Sequence, residues 1–566
     1  MSYGSDSNKK KRLAIVVVSS FILVVIGVAV TVGVTRHQDD QDNSGGGDSH
    51  PTTSNKAVQA MCQPTDYKEA CIESLSGAGD ITDPKQLIKA GFEFTKKKLD
   101  QIAENSKTLK EAEKDPMAKQ ALDICRDQME LAMDHLEESF NRIGALDITK
   151  TDDVLDDLET WLSSVLTYQG TCLDEFENVT SPAAPKIREA LNGTIKFSSN
   201  ALVMVKELSS IFKNLNIPGF KNRRLLQEEV LGHGEFPTWM DPVRRRLLAD
   251  ETKPILVIAQ DGSGDVRSFT EAIPRLPLKS MIPIVVHVKA GIYRETVKIP
   301  KNVWNITWIG DGADKTRITF NKNFADGVKT MYTATFTLIG AGHTFKNIGF
   351  ENSAGAIKHQ AVALVVDGDR SAFFNCRFDG YQDTLYAHSN RQFYRDCIIT
   401  GTIDFIFGDS RTLFQNCLIQ IRRPLDNQQN IVVASGRYES HTVTAMVLQN
   451  CTICPDPTLM PVKAQFRSYL GRPWKRFAKT IYLQNYIDDV IHPDGWLPWL
   501  GTFALDTCYY SEFNNRGPGS ETFRRVRWPG IKTLSPAQAL EYTGQTLLSD
   551  DSWIAATGIP YTRGMM

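Results

Sequence analysis

Six short runs in the second half of the chain share one pattern: FKNIGF, FFNCRF, FYRDCII, LFQNCLI, MVLQNCTI and IYLQNYI. Each is apolar or aromatic and carries one Asn or Asp, at Asn347, Asn375, Asp396, Asn416, Asn450 and Asn485, with spacings of 28, 21, 20, 34 and 35 residues. A period near 20 with loop insertions leaves few folds open. A propeller blade needs about twice that length, and a sandwich does not keep a motif in phase. A β-solenoid does, because each coil stacks on the last. Asn at one corner fits this reading, since it tolerates the left-handed backbone and can bond its neighbours in a ladder.

The same period bears on two acids in GYQDTLYAHSNRQFYRDCIITGTIDFIFG, Gly380 to Gly408. Asp383 and Asp404 are 21 residues apart, each inside a β-branched and aromatic run. Stacked coils would make them neighbours in adjacent parallel strands, roughly 4.7–4.9 Å apart. Gln360 lies 22 residues before Gln382, one further coil up. Two close carboxylates cannot both ionise cheaply, so one pKa rises and the pair offers one acid and one carboxylate. That combination suits nucleophilic plus general-acid work, and two amides suit an oxyanion. A purely structural Asp/Asn ladder is the competing reading. YLGRPWKRFAKT adds Arg472, which could orient a carboxylate, and Trp474, a flat surface on which sugar rings stack. Together these point to polysaccharide chemistry.

The first half is different. Leu122, Cys125, Met129, Ala132, Leu136, Phe140 and Ile143 recur at helical spacing, and Leu155, Leu158, Leu162, Val165 and Cys172 fit a second helix. With weaker helices in Gln86–Lys110 and Pro185–Leu215, residues 56–216 are expected to form a bundle of about four helices. Cys62 is expected to pair with Cys71, and Cys125 with Cys172. Ahead of it, the basic cluster Lys9–Arg12 precedes Leu13–Val34, 22 residues without a charge. As a helix this run is about 33 Å long, enough to cross a bilayer. The expectation is a cytoplasmic tail (1–12), a single-pass signal-anchor (13–34) and a flexible linker (35–55), with the rest in the secretory lumen. Sequons at Asn178, Asn192 and Asn305 fit that compartment; a fourth, at Asn450, sits in a strand-like run. Residues 217–250 read as a processing linker carrying Arg223-Arg224-Leu225-Leu226 and Arg245-Arg246-Leu247-Leu248. Charge divides at the same place: 34 Lys and Arg against 28 Asp and Glu from Glu251 onward, and 30 against 38 before it. A basic second half suits a polyanion. Without a dense Lys/Arg stripe, nucleic acid is not the partner expected.

KHQAVAL (Lys358–Leu364), GYQDTLY, GTIDFIFG (Gly401–Gly408) and LGRPW (Leu470–Trp474), in this order, resemble the motif set of plant pectin methylesterases. DGSGD, GIYRE and RVRWPG support the resemblance, which covers about Pro254 to Trp553. Residues 56–216 resemble the inhibitor-like pro-region of the longer members. The resemblance implies a right-handed parallel β-helix over 251–566, with no metal or cofactor, acting on methyl-esterified homogalacturonan in the cell wall. It implies Asp404 as nucleophile, Asp383 as proton donor and then base, and Gln382 with Gln360 as oxyanion stabilisers. Arg472 would hold Asp404, Trp474 would line the sugar subsite, and Thr330 would contact substrate. Cys397 and Cys417 match the family's disulfide. A processing protease, an inhibitor protein and a monomeric secreted product complete the expectation. The rival readings are a pectin lyase or polygalacturonase, and a non-catalytic wall-binding protein.

Overall fold

The computed structural model of the protein describes residues 53–103, 115–144, 151–177, 179, 181, 183–214, 254–549 and 552–566. The expected anchor (13–34), the paired arginines Arg223, Arg224, Arg245 and Arg246, and the sequon at Asn178 lie outside the described residues. Among the described residues no helix is long and apolar enough to cross a membrane.

Among the described residues the N-terminal unit has six α-helices: α1 (Thr53–Cys62), α2 (Lys68–Leu75), α3 (Pro84–Ala103), α4 (Pro116–Gly144), α5 (Thr151–Glu175) and α6 (Ala183–Asn214). The four long ones form the expected bundle, and the two short ones close its end. Asp115 starts α4 by accepting the N–H groups of Met117 and Ala118, both at 2.8 Å, with Pro116 at the first helical position. Leu122, Cys125, Met129, Ala132, Leu136 and Ile143 form the buried face of α4. Disulfides join Cys62 to Cys71 and Cys125 to Cys172. The second closes 47 residues, worth about 4 kcal/mol against the unfolded chain on the loop-entropy account.

From residue 254 the chain winds through three parallel sheets of ten, seven and eight strands. Every neighbour in these ladders is one coil away. In the ten-stranded sheet Phe373 pairs with Phe345 and with Tyr394, and Tyr394 with Phe414. Their rings stack inside the solenoid at centroid distances of 5.1, 4.8 and 4.6 Å. Successive inward side chains are thus alike because each sits on the copy beneath it.

The Asn/Asp corner exists. Asn347, Asn375, Asp396, Asn416 and Asn450 all have φ between 50° and 60°, the left-handed region that short polar side chains tolerate. Asn375 Nδ2 donates to Asn347 Oδ1 at 2.7 Å, and Asn450 Nδ2 to Asn416 Oδ1 at 2.9 Å. The sixth place is taken by Gln484 (φ 57°), not Asn485. Gln449 is level with Leu483, so Gln484 follows Asn450 in the column. Asn485 instead caps the next turn, donating to the carbonyl of Leu448 at 3.0 Å. One position further, Cys376, Cys397, Cys417 and Cys451 form a second column, all buried and all as thiols. Of the expected glycan sites, Asn192 is exposed on α6, while Asn305 is half-buried with Nδ2 donating to the carbonyl of Ser280 at 2.6 Å.

Candidate active site

The seven-stranded sheet carries the site. Leu385 pairs with Ile406, so Asp383 and Asp404, two residues earlier, face each other one coil apart. The N–H of Asp383 donates to the carbonyl of Ile403 at 3.0 Å. Both acids adopt the left-handed backbone, with φ of 61° and 51°. Non-glycine residues held there cluster at functional sites. Gln360 and Gln382 meet as an isolated parallel bridge in the coils above. The four residues therefore form the column that the spacing implied.

Arg472 reaches this column from two coils further on. Its level runs through Ala434 to Phe407, three residues past Asp404. It holds Asp404 with both arms of its fork: Nε donates to Oδ1 at 2.8 Å and Nη2 to Oδ2 at 2.5 Å. Its guanidinium also lies over the ring of Trp499, 4.3 Å from the centroid. Both carboxyls are over nine-tenths buried. Burial, and then the charge of Asp404, push Asp383 well above the usual carboxylate range. Burial also raises Asp404, but Arg472 opposes it through charge and hydrogen bonding. On raising the pH, Asp404 therefore ionises first while Asp383 keeps its proton.

An aromatic floor adjoins the acids. Tyr386 and Phe407, each three residues past its Asp, stack at 4.2 Å, and Trp474 leans on them at 6.3 and 6.0 Å. Gly436 makes room for Trp474, since a Cβ there would lie 2.8 Å from the indole ring. Thr330 opens a short helical turn, Thr330–Thr333, and is half-buried. Its neighbour Met331 reaches the same apolar cluster as Tyr386, Phe407 and Trp474.

The helical bundle sits on this floor. Ile124 of α4 is fully buried in the cluster of Met331, Tyr386 and Phe407. Helix α5 runs alongside. Thr171 Oγ1 lies 2.7 Å from Nε2 of His388, whose Nδ1 is 2.5 Å from Oδ1 of Asp367. Ion pairs surround the contact: Lys298 with Asp127 at 2.9 Å, Lys301 with Glu130 at 2.7 Å, Lys329 with Glu175 at 3.4 Å, and Lys475 with Asp174. Each of these takes its carboxylate from the bundle and its base from the solenoid. Asp367, His388, Tyr386 and Phe407 were not singled out from the sequence. The first two lie in the loops after strands of the same sheet, and the two rings sit at the same offset from the two acids. Cys397 and Cys417, matched above to a family disulfide, are adjacent members of the thiol column.

A buried carboxyl pair, one member clamped by an arginine, beside an aromatic floor on a parallel β-solenoid, is an arrangement suited to acid–base and nucleophilic chemistry. The family described as Pectinesterase matches residues 255–551, and the plant invertase/pectin methylesterase inhibitor family matches residues 56–204. Putative pectinesterase/pectinesterase inhibitor 28 of Arabidopsis thaliana is 45% identical over 572 residues, covering 100% of this chain and 77% of that protein. Probable pectinesterase/pectinesterase inhibitor 21 of the same plant is 44% identical over 574 residues, covering 100% and 85%. Among solved structures, pectin methylesterase from carrot is 45% identical, with a TM-score of 0.55, and covers 56% of this chain and 99% of its own. The chain belongs to the pectinesterases, in the form that carries an inhibitor-like domain ahead of the enzyme. It removes methyl esters from pectin.

Proposed function

We propose that Asp404 attacks the methyl-ester carbonyl of galacturonate in homogalacturonan, forming an acyl-enzyme, while Asp383 protonates the departing methanol. Asp383 then takes a proton from the water that cleaves the acyl-enzyme. Gln382 and Gln360 would donate to the oxyanion of each tetrahedral intermediate. Trp474 would hold the sugar ring, and Thr330 would contact substrate. One observation carries this reading: the two-armed grip of Arg472 on one acid of a buried pair, which separates nucleophile from acid.

The bundle is read as an autoinhibitory domain, because Ile124 fills the apolar floor on which a sugar would rest. Release would follow cleavage by a secretory-pathway protease at Arg223-Arg224 or Arg245-Arg246, within 217–250. Leu13–Val34 is read as a signal-anchor that holds the chain in the secretory membrane until then, and the freed monomer would act in the cell wall. A separate inhibitor protein could occupy the vacated groove. The coils are read as right-handed, the hand that parallel crossovers adopt.

The test is Asp404→Asn in the full chain and in chain cleaved within 217–250, with methanol release from methylated pectin as the readout. Release should fall by at least about three orders of magnitude with an unchanged circular dichroism spectrum. Retained activity would overturn the assignment of the nucleophile. Pectin viscosity should stay constant during turnover, since ester cleavage leaves the polymer its length.

A further inference from the structure

The coil period aligns one more set of charges. Arg370, Arg391 and Arg411 are spaced 21 and 20 residues apart. Arg391 is level with Arg411, and Ser371 with Gln392, which puts Arg370 in the same column. Three guanidiniums therefore rise from consecutive coils, roughly 4.7–4.9 Å apart at the backbone. Like charges so placed repel, and the Arg391 side chain is only 1% exposed. Asp369 offsets one charge, accepting from Nε and Nη2 of Arg391 at 2.9 and 2.5 Å. The other two are met from outside the solenoid. Asp156 of α5 accepts from Arg391 at 3.1 Å and from Arg411 at 2.6 Å. Asp157, its neighbour in sequence, accepts from Arg370 at 2.7 Å and lies 2.8 Å from Nη2 of Arg391.

Two consecutive carboxylates thus sit on a preformed cationic column. Two of its members lie on the coils of the two acids, Arg391 eight residues past Asp383 and Arg411 seven past Asp404, and Arg370 lies on the coil of Gln360. Each turnover of a pectinesterase replaces a neutral ester with a carboxylate, so fully de-esterified product carries carboxylates on consecutive sugars. We propose that Arg370, Arg391 and Arg411 form a binding site for unesterified galacturonate, and that Asp156 and Asp157 occupy it as a built-in mimic of that product. The proposal rests on the pectinesterase reading. Its consequence is that demethylated pectin competes with the bundle for the enzyme, so that accumulated product favours the open form.

The experiment measures binding of unmethylated decagalacturonate to the full chain at low ionic strength, with fully methylated decagalacturonate as the control. Asp156→Asn with Asp157→Asn should tighten binding of the unmethylated decamer by at least about tenfold and leave the methylated one unchanged. Adding Arg370→Gln and Arg411→Gln should abolish the gain, whereas Arg370→Lys with Arg411→Lys should keep most of it. The Lys pair guards against a mere loss of fold. No gain in the Asn pair, or a gain that survives the Gln pair, overturns the site. Methanol release from methylated pectin is followed in the same variants after cleavage within 217–250 and removal of the bundle: its absence removes the pectinesterase reading, and its presence without the affinity change removes only the arginine site.

Discussion

In the proposed mechanism Arg472 decides which of two buried acids acts as the nucleophile. Its fork meets both oxygens of Asp404, a geometry that a lysine ammonium cannot reproduce. Arg472→Lys should lower kcat by about 10²-fold. The guanidinium opposes the rise in the pKa of Asp404, so weakening it lets that pKa climb. In the proposed mechanism the reactive form of Asp404 is the ionised one, so the acid limb of the pH–rate profile should move to higher pH. An unmoved limb would show that Arg472 does not set this ionisation. Asp383, Asp404, Gln360 and Gln382 were legible because the period that stacks coils also stacks their chemistry. Arg370, Arg391 and Arg411 obey the same period and were passed over. A repeated arginine reads as an ordinary solvated residue until its partners, over 200 positions away, are known.

At the level of elements, stability resides in columns rather than in single strands. Tyr394 is fully buried between Phe373 and Phe414. Tyr394→Ala should cost about 3–5 kcal/mol in chemical denaturation, as for other large-to-small changes in packed interiors. Asn416 has φ 55° and accepts from Asn450 at 2.9 Å. Asn416→Ala removes that bond and leaves a side chain poorly suited to the conformation, so about 1–2 kcal/mol should be lost. Asn416→Gly should lose less, since glycine adopts the turn freely. The solenoid was legible because its repeat is written in residue types: five of six corner positions were placed correctly. The sixth slipped by one because Gln484 and Asn485 are adjacent amides, and only the register with Gln449 separates corner from cap. Of the expected helix limits, Gln86 and Pro185 fall two residues inside the starts of α3 and α6, while Lys110 and Leu215 lie outside the described residues.

For the whole molecule, the seam between the two units is acid on one side and base on the other. Asp174 and Glu175, at the end of α5, are pushed up by burial to about 6 and about 7, despite Lys475 and Lys329. Exposed carboxyls titrate near 4, so the docked state holds protons that the separated state gives up. The contribution of these two groups to docking is therefore fully present below about pH 4 and is lost as the pH rises toward 7. Activity of the full chain should climb between pH 5 and 7, and Asp174→Asn with Glu175→Gln should flatten that climb. Added salt should loosen the same seam. No period in the sequence announces this seam, because its partners belong to two units with unrelated repeats. The sulfur column has a consequence of parity. Four thiols in single file can be closed by neighbours without remainder only as Cys376–Cys397 and Cys417–Cys451. A central Cys397–Cys417 bond would strand the outer two with no reachable mate. Counting alkylatable sulfhydryls in denatured secreted protein reads out which occurred: two for the outer closure, at Cys454 and Cys508, and four for the central one.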